Sequence, residues 1–151
     1  MNVHEICQKN VVTVRQTEGL IAAVQLMREK HIGYLVVIES EAQVQHPVPI
    51  GVLTDRDVVV SVMARTADAR ELTVGDVMTR KPVVVRDTDS IKVALQEMRR
   101  IGVRRLPVVN DDGRLTGVLS LDDLLDSFAG QLTEVAQAIR RGQDVEFALR
   151  P

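Results

Sequence analysis

The chain has 151 residues, 45% hydrophobic, 26% charged and 2% aromatic, enough for one packed domain or two small repeats and too little for a separate enzyme domain as well. Its 19 basic and 21 acidic residues leave a formal charge of −2, so no global field draws in a phosphate backbone, and with Tyr34, Phe128 and Phe147 as its only aromatics it has no stacking platform for single strands; nucleic acid is not an expected partner. A single cysteine, Cys7, excludes an internal disulfide, and the absence of a basic-then-apolar leader or of a membrane-length apolar run leads to the expectation of a cytoplasmic protein with no membrane partner.

The chain is written twice. At an offset of 71, residues 3–38 fall on residues 74–109 without a slip, matching Val14 to Val85, Arg15 to Arg86, Ala23 to Ala94, Met27 to Met98 and Leu35 to Leu106. The first copy then carries a longer loop, ESEAQVQHPVP, where the second has NDDGRLT, and the offset falls to 66, so that Gly51, Thr54 and Asp57 meet Gly117, Ser120 and Asp123. An insertion confined to a turn is one that packing tolerates.

In chain order, Val11 to Val14 form a Val-rich first strand. Leu20, Ala23, Val24 and Met27 follow at i, i+3, i+4 and i+7, an amphipathic helix with Thr17 as its expected N-cap and Glu18 in its first turn. Tyr34 to Ile38 and Ile50 to Leu53 are the next strands, and a second helix begins near Thr54. The polar segment 65–73 is a linker. Copy two repeats the order: a strand at Val83 to Val85, a helix on Ile91, Ala94, Leu95 and Met98 capped by Thr88, then strands at Leu106 to Val109 and Thr116 to Leu119 joined by the Asp111-Asp112-Gly113 turn. The last helix starts near Ser120, and its apolar stripe, Leu121, Leu124, Leu125, Phe128, Leu132, Val135 and Ile139, outruns its counterpart, with Gly130 as a break point and 142–151 as a loosely attached tail.

The expected architecture is therefore α+β: two β-α-β-β-α repeats packed about a pseudo-two-fold axis, because neither could bury an adequate core alone. The first repeat spans 1–64 and the second 74–128, with a helical extension and tail at 129–151. A cleft between them would present equivalent residues twice.

The paired strand-helix-strand-strand-helix order, VGDVMTRKPVVV, VRRLPVVNDDGRLTGVLS and the Gly-x-x-Thr/Ser-x-x-Asp ending of each copy resemble a tandem pair of cystathionine-β-synthase (CBS) domains, a Bateman module, over residues 3 to 128. The resemblance implies an adenosine-type ligand in the cleft and dimerisation of two modules. It also implies ribose binding by Asp57 and Asp123, with phosphate-binding basic residues at Arg104 or Arg105 and an adenine pocket near Gln8 to Val11 and near Thr79, Lys81 and Pro82.

Chemistry alone leaves two readings of Thr54-x-x-Asp57 and Ser120-x-x-Asp123. Each is close to a capping box, and each could also set a carboxylate on a ribose with hydroxyl and helix amides on a phosphate. Arg104 and Arg105 precede a strand whose alternation sends neighbours to opposite faces, and an Arg fork suits phosphate. Copy one has Gly33 and Tyr34 there, so the clefts should be unequal, with the Arg-rich half read together with Asp123. Tyr34 could stack on a purine or belong to the core, and Arg56 could reach a phosphate or lie on the surface. His4 and Cys7 have an i, i+3 spacing but no second ligand pair, so no metal site is expected, and no motif of phosphate-loop, dinucleotide or nucleophile-elbow type is present. The sequence reading is a stand-alone, non-catalytic sensor of an adenine nucleotide (AMP, ADP or ATP class), needing no cofactor, homodimeric and signalling to an unidentified protein partner. The competing reading is an interaction scaffold with vestigial clefts, built on the last helix.

Overall fold

A computed structural model describes residues 1–39 and 45–150; most of the inserted loop's first half lies outside them. The elements run α1 (Val3–Ile6), β1 (Thr13–Arg15), α2 (Leu20–Lys30), β2 (Tyr34–Ile38), β3 (Pro49–Thr54), α3 (Asp55–Val58) with a π-helical turn (Val59–Met63), α4 (Val74–Val77), β4 (Thr79–Arg80), β5 (Val85–Arg86), α5 (Ile91–Ile101), β6 (Arg105–Val109), β7 (Leu115–Ser120) and α6 (Leu121–Leu149). The α+β class and the doubled β-α-β-β-α order are observed. One sheet has the order β1-β2-β3-β4 and the other β5-β6-β7, each with a parallel first pair and an antiparallel second. The 65–73 segment contains a short 3₁₀ turn, Ala69–Glu71.

The two copies exchange their leading segments. Val3 and Cys7, from the start of the chain, pack in one core with Val85, Ile91, Met98, Leu106, Leu119 and Leu124. Val74 and Met78 pack in the other with Val14, Leu20, Met27, Leu35 and Leu53. The backbone follows the same exchange: Val3 N–H donates to Asp89 O and Val74 N–H to Glu18 O, both at 2.9 Å, while β4 pairs with β3 and Gln8 bridges Val118. Glycine makes the approach possible. A Cβ on Gly51 would stand 2.7 Å from Met78 Sδ and 2.9 Å from Thr79 O, and one on Gly117 would stand 2.8 Å from both Cys7 Sγ and Gln8 O.

Three expectations are corrected. The first helix of each copy starts two residues later than Thr17 and Thr88 suggest, at N-caps Gly19 and Ser90, where Ser90 Oγ accepts from Val93 N–H; residues 16 and 17 form a turn instead. Gly130 breaks nothing, and 142–149 continues the helix: α6 runs unbroken for 29 residues, about 43 Å. Its apolar stripe beyond Leu124 is left uncovered by the described residues, with Leu132, Val135 and Ile139 exposed at 71%, 58% and 59%.

Candidate functional site

Each copy ends its last strand on the capping box that the sequence outlines. Thr54 Oγ accepts from Asp57 N–H at 3.1 Å while Asp57 Oδ2 accepts from Thr54 N–H at 2.9 Å. In copy two, Ser120 Oγ accepts from Asp123 N–H at 3.1 Å and donates to Asp123 Oδ2 at 2.6 Å, and Ser120 N–H donates to the same oxygen at 3.0 Å. The structural reading of both pairs holds, since the boxes satisfy amides that the first helical turn leaves open.

The remaining carboxylate oxygens separate the two copies. Asp123 Oδ1 accepts from the Gln8 amide, Nε2 to Oδ1 2.9 Å, whereas Asp57 Oδ1 has no protein donor among the described residues. Gln8 and Thr79 are equivalent positions, but the shorter Thr79 side chain makes no such bond.

Thr54, Asp57, Arg56, Thr79, Arg104 and Arg105 line one cleft of about 360 Å³, together with Gly33, Tyr34 and Val52. A neighbouring cleft of about 270 Å³ is lined by Gln8, Asn10, Val11, Tyr34, Arg105 and Val118 among others. The structure thus brings Arg104 to Asp57, not to Asp123, because the pseudo-two-fold sets the start of β6 against the end of β3. Lys81 and Pro82 follow β4 and line neither cleft, with Lys81 in the left-handed region at φ 50°.

Charge is concentrated in the Asp57 cleft. Arg104 reaches Asp122 at 3.3 Å, both side chains exposed, a pair of little energetic weight. Arg105 has no carboxylate partner among the described residues; its guanidinium lies 5.9 Å from the centre of the Tyr34 ring. The Tyr34 hydroxyl is buried with no hydrogen-bond partner among the described residues, and burial holds the phenol far above its ordinary pKa, an effect that Arg105 opposes. Tyr34 is in neither core cluster, so it is a cleft wall.

Near the chain start, Lys9 Nζ lies 3.0 Å from His4 Nδ1, 2.8 Å from His4 O and 3.3 Å from Cys7 Sγ. An ammonium therefore occupies the space between the His4 and Cys7 side chains. Sequence reasoning passed over Gln8 as an Asp123 partner; the offset that aligns it with Thr79 was the available signal.

Two α+β repeats that exchange segments and enclose paired clefts define a tandem-repeat module. The CBS domain profile matches residues 3–64 and 74–130, and the chain belongs to the CBS domain family. It is 32% identical over 120 residues to hypoxic response protein 1 of Mycobacterium tuberculosis, covering 80% of each chain. Among solved structures, a putative signal-transduction protein with CBS domains from Burkholderia ambifaria superposes with TM-score 0.75 at 27% identity, over 85% of this chain and 93% of that one. A CBS domain protein from Pyrobaculum aerophilum, solved in complex with AMP, gives TM-score 0.72 at 27% identity, over 82% and 90%. No helix among the described residues is long and apolar enough to cross a membrane.

Proposed function

We propose that this CBS pair is a regulatory sensor, not an enzyme, that binds an adenine-containing nucleotide of the AMP, ADP or ATP class in the Asp57 cleft and signals occupancy to a protein partner. One observation carries the reading: Asp57 keeps an uncommitted carboxylate oxygen in a cleft that also holds Arg56, Arg104 and Arg105. A carboxylate acceptor suits ribose hydroxyls, guanidinium forks suit phosphate, and the volume lies in the range of small-ligand sites. That the relative from Pyrobaculum aerophilum is complexed with AMP supports the choice of base. Asp123, Ser120, Lys81 and Pro82 have no ligand role in this reading, which differs there from the sequence expectation. No cofactor is invoked, and the single cysteine fits work in the cytoplasm.

A thermal-shift panel of adenine nucleotides, guanine nucleotides and S-adenosylmethionine tests it. At 100 times its dissociation constant a ligand stabilises by about 2.7 kcal/mol, and adenine nucleotides are expected to do so while guanine nucleotides are not. No shift with any adenine compound would end this reading.

The uncovered stripe of α6 supports a second reading, a self-association scaffold that makes the protein a homodimer. Light scattering on the full chain and on one truncated after Phe128 separates the two: a dimer that becomes a monomer supports it, and a monomer in both removes it.

A further inference from the structure

The two clefts have one wall in common. Tyr34 opens β2 and Arg105 opens β6, and the offset of 71 makes them equivalent positions. They meet at the pseudo-two-fold with the guanidinium 5.9 Å from the ring centre, and each lines both the 360 Å³ and the 270 Å³ cleft. A strict repeat would place two like residues there, either two repelling cations or two neutral rings. This chain places one cation between two cavities.

We infer that Arg105 is a single phosphate-binding group shared by both clefts, so that the chain holds one phosphorylated ligand tightly at a time and leaves any second ligand without phosphate recognition. The inference rests on the nucleotide reading of the Asp57 cleft and adds what limits its stoichiometry. A guanidinium carries one positive charge, and a bidentate charge-assisted bond to phosphate outweighs a cation–π contact near the 6 Å limit of that interaction. Arg105 has no carboxylate partner among the described residues to hold it back. Phosphate in the Asp57 cleft therefore turns the guanidinium from the Tyr34 ring and away from the cleft of Gln8 and Val118. Arg104 cannot take over that role, because of these two clefts it lines the Asp57 cleft and not the other.

The chain carries its own reporter of this movement. Tyr34 is the only tyrosine and there is no tryptophan, so tyrosine emission comes from the shared wall alone.

The test is calorimetry with AMP and with adenosine on the full chain and on its Arg105→Ala and Gln8→Ala variants, with Tyr34 emission followed in parallel. The expected result is one tight AMP per chain with a change in Tyr34 emission that saturates with it. Arg105→Ala is expected to weaken AMP by roughly 10–100-fold, the range of a hydrogen bond to a charged group, and adenosine by less than about twofold. Gln8→Ala removes a side chain that lines the second cleft and frees Asp123 Oδ1 beside it, while leaving the shared cation unchanged. That variant is expected still to take one tight AMP, any second binding at least about tenfold more weakly. Two equal AMP sites in the Gln8→Ala chain, or AMP affinity that is indifferent to Arg105→Ala, would overturn the inference and leave the nucleotide reading standing. No AMP binding to the unaltered chain would overturn both.

Discussion

The two repeats share a backbone and differ in what they leave free. Both close their last helix with the same capping box, but Gln8 occupies the outer oxygen of Asp123 while the equivalent Thr79 leaves Asp57 open. The first-copy cleft gathers three arginines, and the second shares only Arg105. The scaffold is common to both repeats, and the sites differ in the residues at equivalent positions 8/79, 33/104 and 34/105. A capping box thus says where a site stands, and the residues delivered to it from the other repeat say what it can hold.

The largest expected effect bears on whether the repeats are separable at all. Leu53 and Leu119 are fully buried equivalents in the two cores, and replacement of either by Ala should cost about 2–5 kcal/mol. Because each core contains the other copy's leading segment, both variants should lower one common melting transition; two resolved transitions would show independent repeats.

Next come the glycines that admit those segments. Gly51→Ala and Gly117→Ala each force a Cβ against a backbone carbonyl as well as a sulfur side chain, and should destabilise by about 1–3 kcal/mol. Chemical denaturation should place the two within 1 kcal/mol of each other if the exchange is symmetric.

The caps should then divide the copies. Ser120 is 8% exposed and both accepts from and donates to Asp123, whereas Thr54 only accepts from Asp57 N–H. Ser120→Ala is expected at the upper end of the 0.5–2 kcal/mol range for a lost cap and Thr54→Ala at the lower end. Equal losses in urea melts would deny the asymmetry.

The smallest effect is electrostatic. Hydrogen bonds from the Thr73 backbone amide and hydroxyl hold Asp76 below its ordinary pKa of 3.8. Its contribution is therefore present in full above the ordinary value and lost as pH falls through the depressed one. Asp76→Asn should lower stability at pH 7 slightly, by the contribution that the ionised carboxylate makes there, and flatten this part of an acid-stability curve.

Much of the fold was legible because it is stated twice: the offset of 71 and the helical stripes led to the repeats, their strands and the α+β class. The segment exchange was not, since α1 and α4 are four residues long and carry no periodicity; only their boxes, Asn2 with Glu5 and Thr73 with Asp76, marked them. The helix starts were misplaced because Thr17 and Thr88 are good cap residues, yet the chain turns there and begins its helices at Gly19 and Ser90. Of the site, Thr54, Asp57, Thr79, Arg104 and Arg105 were named from sequence, and the structure places them in one cleft. Their grouping was not legible, because which repeat supplies the arginines is decided by packing across the pseudo-two-fold. Gly130 and Gly142 lie within α6 even though Gly weakens a helix, so composition alone misplaces its end.

The measurement closest to the central claim is AMP stabilisation of the unaltered chain, Asp57→Asn and Asp123→Asn. Asn keeps an acceptor for the cap amide, so both variants should fold, and it removes the carboxylate that a ribose needs. The shift is expected to be lost in Asp57→Asn and retained in Asp123→Asn. Loss in Asp123→Asn with retention in Asp57→Asn would contradict that expectation and move the working site to the other repeat.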